Sequence, residues 1–205
     1  MPTLILGTAN RKKGHELASL FDGLGLEILT LADVSSPLTI VESGATFAEN
    51  ARLKATQQAA HLGRWVLADD SGLAVDALGG SPGVHSARYA GETASDEDNR
   101  RRLLAELAGV PAKRRSAHFI CWLTLADPSG RIRAESEGRC NGWIVAEERG
   151  NGGFGYDPLF EVREYHRTFG ELGGVAKSAL SHRARAVGRI LPDLRKLIST
   201  SEWDG

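Results

Sequence analysis

Leu4-Ile5-Leu6-Gly7, then Thr8-Ala9-Asn10-Arg11-Lys12-Lys13, then Leu17, Leu20, Phe21 and Leu24 closing at Gly25, read as a strand, a polar loop and a helix. The apolar triplet is uninterrupted and ends on glycine, the pattern of a buried strand. The later apolar residues recur at helical spacing, and Gly25 is of the type that stops a helix. Strand, loop and helix in that order point to an α/β domain.

The same alternation continues outward. Glu27 to Leu31 reads as a second strand, and Thr46 with Glu49 forms a capping-box pattern opening a helix to about Ala60. Trp65-Val66-Leu67-Ala68 reads as a buried strand that ends in Asp69-Asp70-Ser71-Gly72, and Gly79 to Gly83 as a loop. Ser95 and Asp98 signal a helix burying Leu103, Leu104 and Leu107. Ala117 to Ala126 is a long apolar run, and Asp127-Pro128-Ser129-Gly130 has turn chemistry. On the return strand Ile132, Ala134 and Ser136 alternate with Arg131, Arg133, Glu135 and Glu137, as a half-solvated strand does. A last helix is expected from near Ser181, burying Ala184, Val187, Leu191, Leu194 and Ile198, with Pro192 kinking or interrupting it. With no repeat or linker, residues 1–205 are expected to form one α/β domain: a long mixed sheet flanked by helices, in two lobes with a central cleft.

Composition narrows the function classes. The chain has 205 residues, 41% hydrophobic and 25% charged, with formal net charge -1. A nucleic-acid polymer usually needs a basic surface, so none is expected as partner. A small anion needs only a few local cations. Two cysteines, Cys121 and Cys140, are too few for a disulfide framework and lack metal-ligand spacing. Met1 to Leu6 carries no basic leader or long apolar run, so no signal peptide is expected, and no run approaches the ~18 apolar residues of a membrane span. A reducing, cytoplasmic setting without a membrane partner is expected.

Four groups of residues carry chemistry. The loop Thr8 to Lys13 sits where a helix start presents N–H groups and partial positive charge to phosphate, and Lys13 adds a full charge. It lacks the P-loop pattern. Glu42 and Asp69-Asp70 supply hard oxygen ligands, which suit Mg²⁺ with its retained waters and substrate phosphates. Adjacent aspartates point to opposite sides, so one is expected in the cleft while the other hydrogen-bonds backbone. Lys177-Ser178-Ala179-Leu180-Ser181-His182-Arg183 puts cations at the start of the last helix, against its dipole, a conflict that an anionic ligand resolves. In Gly150-Asn151-Gly152-Gly153-Phe154-Gly155-Tyr156-Asp157-Pro158, the glycines let backbone approach a ligand, while Phe154, Tyr156 and Asp157 suit stacking on a flat ring and reading its edge. A metal-bound polyphosphate with a stackable base uses all four groups.

These residues resemble the inosine/xanthosine triphosphate pyrophosphatases, the Ham1-like family. The likeness runs through T-x-N-x-x-K at Thr8 to Lys13, E-x-G-x-T-F-x-E-N-A at Glu42 to Ala51, A-D-D-S-G-L at Ala68 to Leu73 and G-G-x-P-G at Gly79 to Gly83. It continues with S-A-R-Y at Ser86 to Tyr89, G-G-F-G-Y-D-P at Gly152 to Pro158 and K-x-x-x-S-H-R at Lys177 to Arg183. The resemblance implies a homodimer that uses Mg²⁺ to hydrolyse ITP, dITP and XTP to the monophosphate and pyrophosphate. By the same resemblance Asp70 is the general base, and Glu42 and Asp70 are the metal ligands. Thr8, Ala9, Asn10, Arg11, Lys12, Lys13 and Lys54 contact phosphate, and Ser71 contacts substrate. Phe154, Gly155, Tyr156, Asp157, Lys177, His182 and Arg183 form the nucleoside pocket. The chain departs from the family at Lys12, where a small residue is common, and at Gly173-Gly174-Val175-Ala176, where an acidic run is common.

Three other readings are weaker. A Maf-type nucleotide pyrophosphatase has an S-x-S-P-R-R loop, which Thr8 to Lys13 does not match. A non-catalytic nucleotide-binding module would lack the carboxylates that this chain keeps at Glu42, Asp69 and Asp70. A two-carboxylate glycosidase does not account for the basic helix starts.

Overall fold

The computed structural model describes residues 1–200, 202 and 203. Seven strands form one mixed sheet in the order β2-β1-β3-β4-β5-β6-β7. They are β1 (Thr3–Leu6), β2 (Glu27–Thr30), β3 (Val66–Val75), β4 (Ser116–Ala126), β5 (Ile132–Ile144), β6 (Phe160–Val162) and β7 (Arg167–Thr168). β1 pairs parallel with β2 and β3, whereas β5–β6 and β6–β7 pair antiparallel. The α/β class and the mixed, helix-flanked sheet expected from the sequence are both present.

The chain divides into two compact units. One comprises Met1–Asp70, Cys121–Gly138 and Arg183–Gly205; the other comprises Ser71–Ile120 and Arg139–His182. The first unit holds α1 (Arg11–Leu20) and α2 (Phe47–Leu62), together with nearly all of α5 (His182–Ser199); the second holds α3 (Asp96–Glu106) and α4 (Phe169–Leu180).

In the first unit both faces of the sheet are covered, which is why Leu4-Ile5-Leu6 is apolar without alternation. Leu4, Leu6 and Leu67 pack with Leu17 and Phe21 near α1 and with Val187, Ile190 and Leu194 of α5. Ile5, Val66 and Ala68 point to the other face and pack with Ala55 and Ala59 of α2. The second unit has its own core, in which Leu73, Val75, Phe119, Phe160 and Phe169 join Leu103 and Leu107. Phe119 and Phe160 stand 4.6 Å apart between ring centroids.

Both capping boxes read from the sequence form. Thr46 accepts from Glu49 N at the start of α2, and Ser95 accepts from Asp98 N at the start of α3, each with the reciprocal carboxylate bond. The turn after β4 closes through Gly130 N to Asp127 O at 2.8 Å.

Five expectations need correction. β3 does not end at Ala68 but continues through the aspartates to Val75. Its buried charges meet partners, so nothing forces the strand to stop. α1 ends at Leu20 with Phe21 as its cap, short of Gly25. Pro192 does not interrupt α5. A proline inside a helix costs about 3 kcal/mol, and burial of Ile190 before it with Leu194 and Leu197 after it offsets that cost. The buried stripe of α5 is Ala186, Val187, Ile190, Leu194 and Leu197, one register away from Ala184, Leu191 and Ile198. Finally, Lys177 does not open the last helix. It lies in the last turn of the additional helix α4, where a cation complements the dipole. Gly173, at φ 73° and ψ 178°, breaks α4 between Leu172 and Gly174, which only glycine tolerates easily. Among the described residues no helix is long and apolar enough to cross a membrane.

Candidate active site

The alternation of β3 sorts its two aspartates. Leu67 faces α1 and α5, so Asp69 faces them too; Ala68 faces α2, so Asp70 does. The ion pairs follow that geometry. Asp69 Oδ2 lies 3.6 Å from Lys13 Nζ of α1 and 3.5 Å from Arg183 Nε of α5. Arg183 also donates to Glu16 Oε2 at 2.8 Å. Asp69 therefore pairs with two cations, not with backbone alone as the sequence suggests.

On the opposite side of the strand, Asp70 Oδ1 accepts from Lys54 Nζ at 2.9 Å. The same ammonium donates to Glu42 Oε2 at 3.2 Å. Asn50 Nδ2 donates to Asp70 Oδ2 at 3.3 Å, and Asn50 Oδ1 accepts from Gly44 N at 2.8 Å. Asn50 and Lys54 lie one helical turn apart on α2 and so reach the same carboxylate. Asn50 is given no role by the sequence reading, although it is the fixed asparagine of the E-x-G-x-T-F-x-E-N-A stretch from Glu42 to Ala51.

The electrostatics of this cluster suit proton transfer. Burial pushes the Asp70 carboxyl above its ordinary value, against the opposing pull of Lys54 and Lys13. Burial acts to lower Lys54, but Asp70, Asp69 and Glu42 outweigh it and hold the ammonium above its usual value. A buried carboxylate of raised pKa is a better base than a solvated one.

The donor set also fits a hard divalent ion. Glu42 and Asp70 are two carboxylates already bridged by one cation, with the ammonium as stand-in. Among the described residues no group of three or more His, Cys, Asp or Glu is assembled around a metal position. An ion that takes one or two carboxylates and fills its other positions with water and phosphate needs no more than this pair.

The loop before α1 differs from a bare helix start. Asn10 caps the helix, and its side chain accepts from Lys12 N at 3.0 Å and Lys13 N at 3.2 Å. Thr8 Oγ1 accepts from Asn10 N. Two of the helix N–H groups offered to a phosphate are therefore already capped. Ala9, Asn10, Arg11 and Lys12 are exposed, and Lys13 is half-buried.

In the second unit the Gly-rich loop packs closely against the start of α4. A Cβ on Gly150 would fall 2.3 Å from Gly170 backbone, one on Gly152 3.0 Å from Gly170 O, and one on Gly153 2.1 Å from Asp157 Oδ2. Gly150 and Gly152 thus serve the approach of the loop to α4, and Gly153 its packing on Asp157. At Gly155 a Cβ would meet nothing within 4 Å, although its φ of 59° still favours glycine. Asp157, buried, accepts from Phe154 N at 2.8 Å and from Lys177 Nζ at 2.6 Å. The Lys177 ammonium stands 4.2 Å from the centroid of the Phe154 ring. Phe154, Asp157 and Lys177 thus form one braced unit.

Tyr156 is buried with its hydroxyl donating to Ser86 O at 2.9 Å, so it anchors the loop to the core. That burial pushes its phenol well up. His182 is buried as well, stacked on Phe119 at 4.8 Å between ring centroids. Ser71 follows Asp70 on β3 and is half-buried.

The site residues therefore fall into two clusters. One, in the first unit, joins Lys13, Asp69 and Arg183 on one side of β3 and Glu42, Asn50, Lys54 and Asp70 on the other. The other, in the second unit, joins Phe154, Asp157 and Lys177, with Tyr156 and His182 in its core.

An α/β chain with a paired-carboxylate and lysine cluster on a buried strand, and a lysine-braced aromatic loop, has the parts of a metal-assisted enzyme acting on an anionic ligand with a flat ring. Comparison with known proteins makes this specific. The Ham1 family model matches residues 4–193, and the chain belongs to that family. A dITP/XTP pyrophosphatase of Rhodopirellula baltica is 50% identical over 198 residues, covering 97% of this chain and 95% of that protein. Another from Geobacillus kaustophilus is 48% identical, covering 93% of each chain. The solved structure of a HAM1 protein from Coxiella burnetii superposes with a TM-score of 0.85 at 36% identity, covering 98% of this chain and 100% of that one.

Proposed function

We propose that this chain hydrolyses non-standard purine nucleoside triphosphates, ITP, dITP and XTP, to the monophosphate and pyrophosphate. The observation that carries the chemistry is the Glu42–Lys54–Asp70 cluster, with Asp70 buried and Glu42 open to solvent, whose acceptor oxygens and ammonium suit a metal-bound triphosphate. The activity of relatives near half identity over nearly the whole chain supports the substrate class.

Glu42 and Asp70 would hold Mg²⁺, which would supply positive charge to offset that of the departing pyrophosphate. Asp70 orients and deprotonates a water that attacks the α-phosphorus in line; the α–β phosphoanhydride bond breaks and pyrophosphate leaves. Lys13 and Lys54 stabilise the negative charge that develops. The half-buried Thr8 and the exposed Ala9 to Lys12 segment lie against phosphate, and Ser71 contacts substrate.

Base stacking belongs to the second cluster, and reading of the base edge to its His182 or to Arg183 of the first. Phe154 supplies a face for stacking, and the Lys177–Asp157 pair fixes the loop that presents it together with Gly155. Hypoxanthine and xanthine carry an acceptor oxygen at position 6, where adenine carries a donor. A donor from His182 or Arg183 pairs with the oxygen and opposes the amino group, which costs about 1–3 kcal/mol for an unpaired buried group. Tyr156 acts through the loop it anchors. By the family resemblance the enzyme works in the cytoplasm as a homodimer.

Product analysis tests the reaction. Incubation with ITP and MgCl₂ is expected to give equal amounts of inosine monophosphate and pyrophosphate, and EDTA is expected to stop it. Release of the diphosphate and single phosphates, or full turnover in EDTA, would contradict the mechanism.

A further inference from the structure

We propose that the Lys54 ammonium is the resident cation of the metal site, seated between Glu42 and Asp70 until a divalent ion displaces it. This inference rests on reading those two carboxylates as the ion's ligands. Lys54 Nζ is 3.2 Å from Glu42 Oε2 and 2.9 Å from Asp70 Oδ1, with 13% of its side chain exposed. Two carboxylates that share one ammonium repel each other unless a positive charge stands between them, and Asp70, being buried, has little water to screen its charge. The lysine supplies that charge from α2.

Asn50 defines the seat. Its amide holds Asp70 Oδ2, leaving Oδ1 to face the ammonium, and its carbonyl holds Gly44 N two residues past Glu42. The segment bearing Glu42 and the strand bearing Asp70 are thereby aligned around one position for positive charge. A divalent ion that binds the same two oxygens cannot share that position with an ammonium. Lys54 can leave because its charge rides on a flexible four-carbon stem.

Metal binding is then an exchange. The apparent affinity for the ion is reduced by the cost of evicting Lys54. The evicted ammonium becomes available to the triphosphate that arrives with the ion, so the lysine contacts phosphate only once the metal is in place. The carboxylates are never left facing each other uncompensated, with or without the ion.

Calorimetric titration of the full chain with MgCl₂, without nucleotide and at fixed ionic strength, tests the exchange. Lys54→Met is expected to bind magnesium about tenfold more tightly than the unaltered chain, because two charge-assisted hydrogen bonds no longer have to be broken. The same variant is expected to melt at a lower temperature in EDTA and to regain the difference in MgCl₂. Lys13→Met removes an equal charge beside Asp69 without vacating the seat, and is expected to gain far less. Should Lys54→Met not fold, Lys54→Gln takes its place, with tighter binding again expected. No gain at position 54, or equal gains at positions 13 and 54, overturns the exchange while leaving the metal ligands in place. Absence of magnesium binding in the unaltered chain and both variants overturns the ligand assignment itself.

Discussion

Asp70→Asn is expected to abolish turnover while leaving nucleotide binding in place. The amide has nearly the shape of the carboxylate, and its oxygen can still accept from Asn50, but it cannot take a proton from water. Loss of a positioned general base costs roughly 10²–10⁴-fold in rate, and loss of a metal-ligand charge adds to it. The fold should tolerate the change, because Lys54 keeps Glu42 as a partner and the cost of burying the Asp70 charge, which raises its pKa, disappears with it. Single-turnover kinetics with ITP, alongside calorimetric nucleotide binding, separate the two effects. Activity equal to that of the unaltered chain would remove Asp70 from the mechanism.

Lys177→Met is expected to have the largest effect on stability. The side chain is nearly isosteric in its apolar part, but its removal strands the Asp157 carboxylate, which is 2% exposed and takes a 2.6 Å bond from Lys177. Breaking a buried pair from one side typically costs about 3–5 kcal/mol. The cation over the Phe154 ring is lost as well, so the KM for nucleotide should rise as the stacking face loses its brace. Asp157→Asn combined with Lys177→Met should recover much of the lost stability, since no uncompensated charge remains. Urea unfolding of the single and double variants measures this. A single variant as stable as the double would show that the pair does not hold the loop.

The sequence made the first unit largely legible. The apolar runs at Leu4 and Trp65, and the Thr46 box, were strong local signals that tertiary packing reinforced. The second unit was less legible because its elements are short or diluted. β6 and β7 span three and two residues, too few to show a period. Gly170, Gly173 and Gly174 weaken the helical pattern of α4, although its Thr168–Glu171 capping box can be seen in the sequence. Missing that helix put Lys177 at the wrong end of a helix and made its charge look like a conflict that only a ligand could resolve.

The candidate site divides in the same way. Residue type marked Glu42, Asp69 and Asp70 as hard oxygen ligands, and the apolar run Trp65 to Ala68 before the two aspartates gave them their weight. Their partners depend on the faces of β3 and α2, which periodicity shows only once the strand is known to continue past Ala68. Asn50 could not be found from composition, since its role comes from what lies across from it. In the Gly-rich loop, Phe154 and Asp157 are tied to each other and to Lys177, and most of the glycines answer to Gly170 and Asp157.

The most direct test of the central claim is kcat/KM for pyrophosphate release from XTP, dITP and ITP against ATP and GTP, at saturating MgCl₂. If water deprotonated by Asp70 attacks the α-phosphorus and a buried donor reads the 6-oxo edge, the three non-standard nucleotides should exceed ATP by at least the roughly 5- to 150-fold that one mispaired buried donor provides. Equal kcat/KM for ATP and XTP would contradict it.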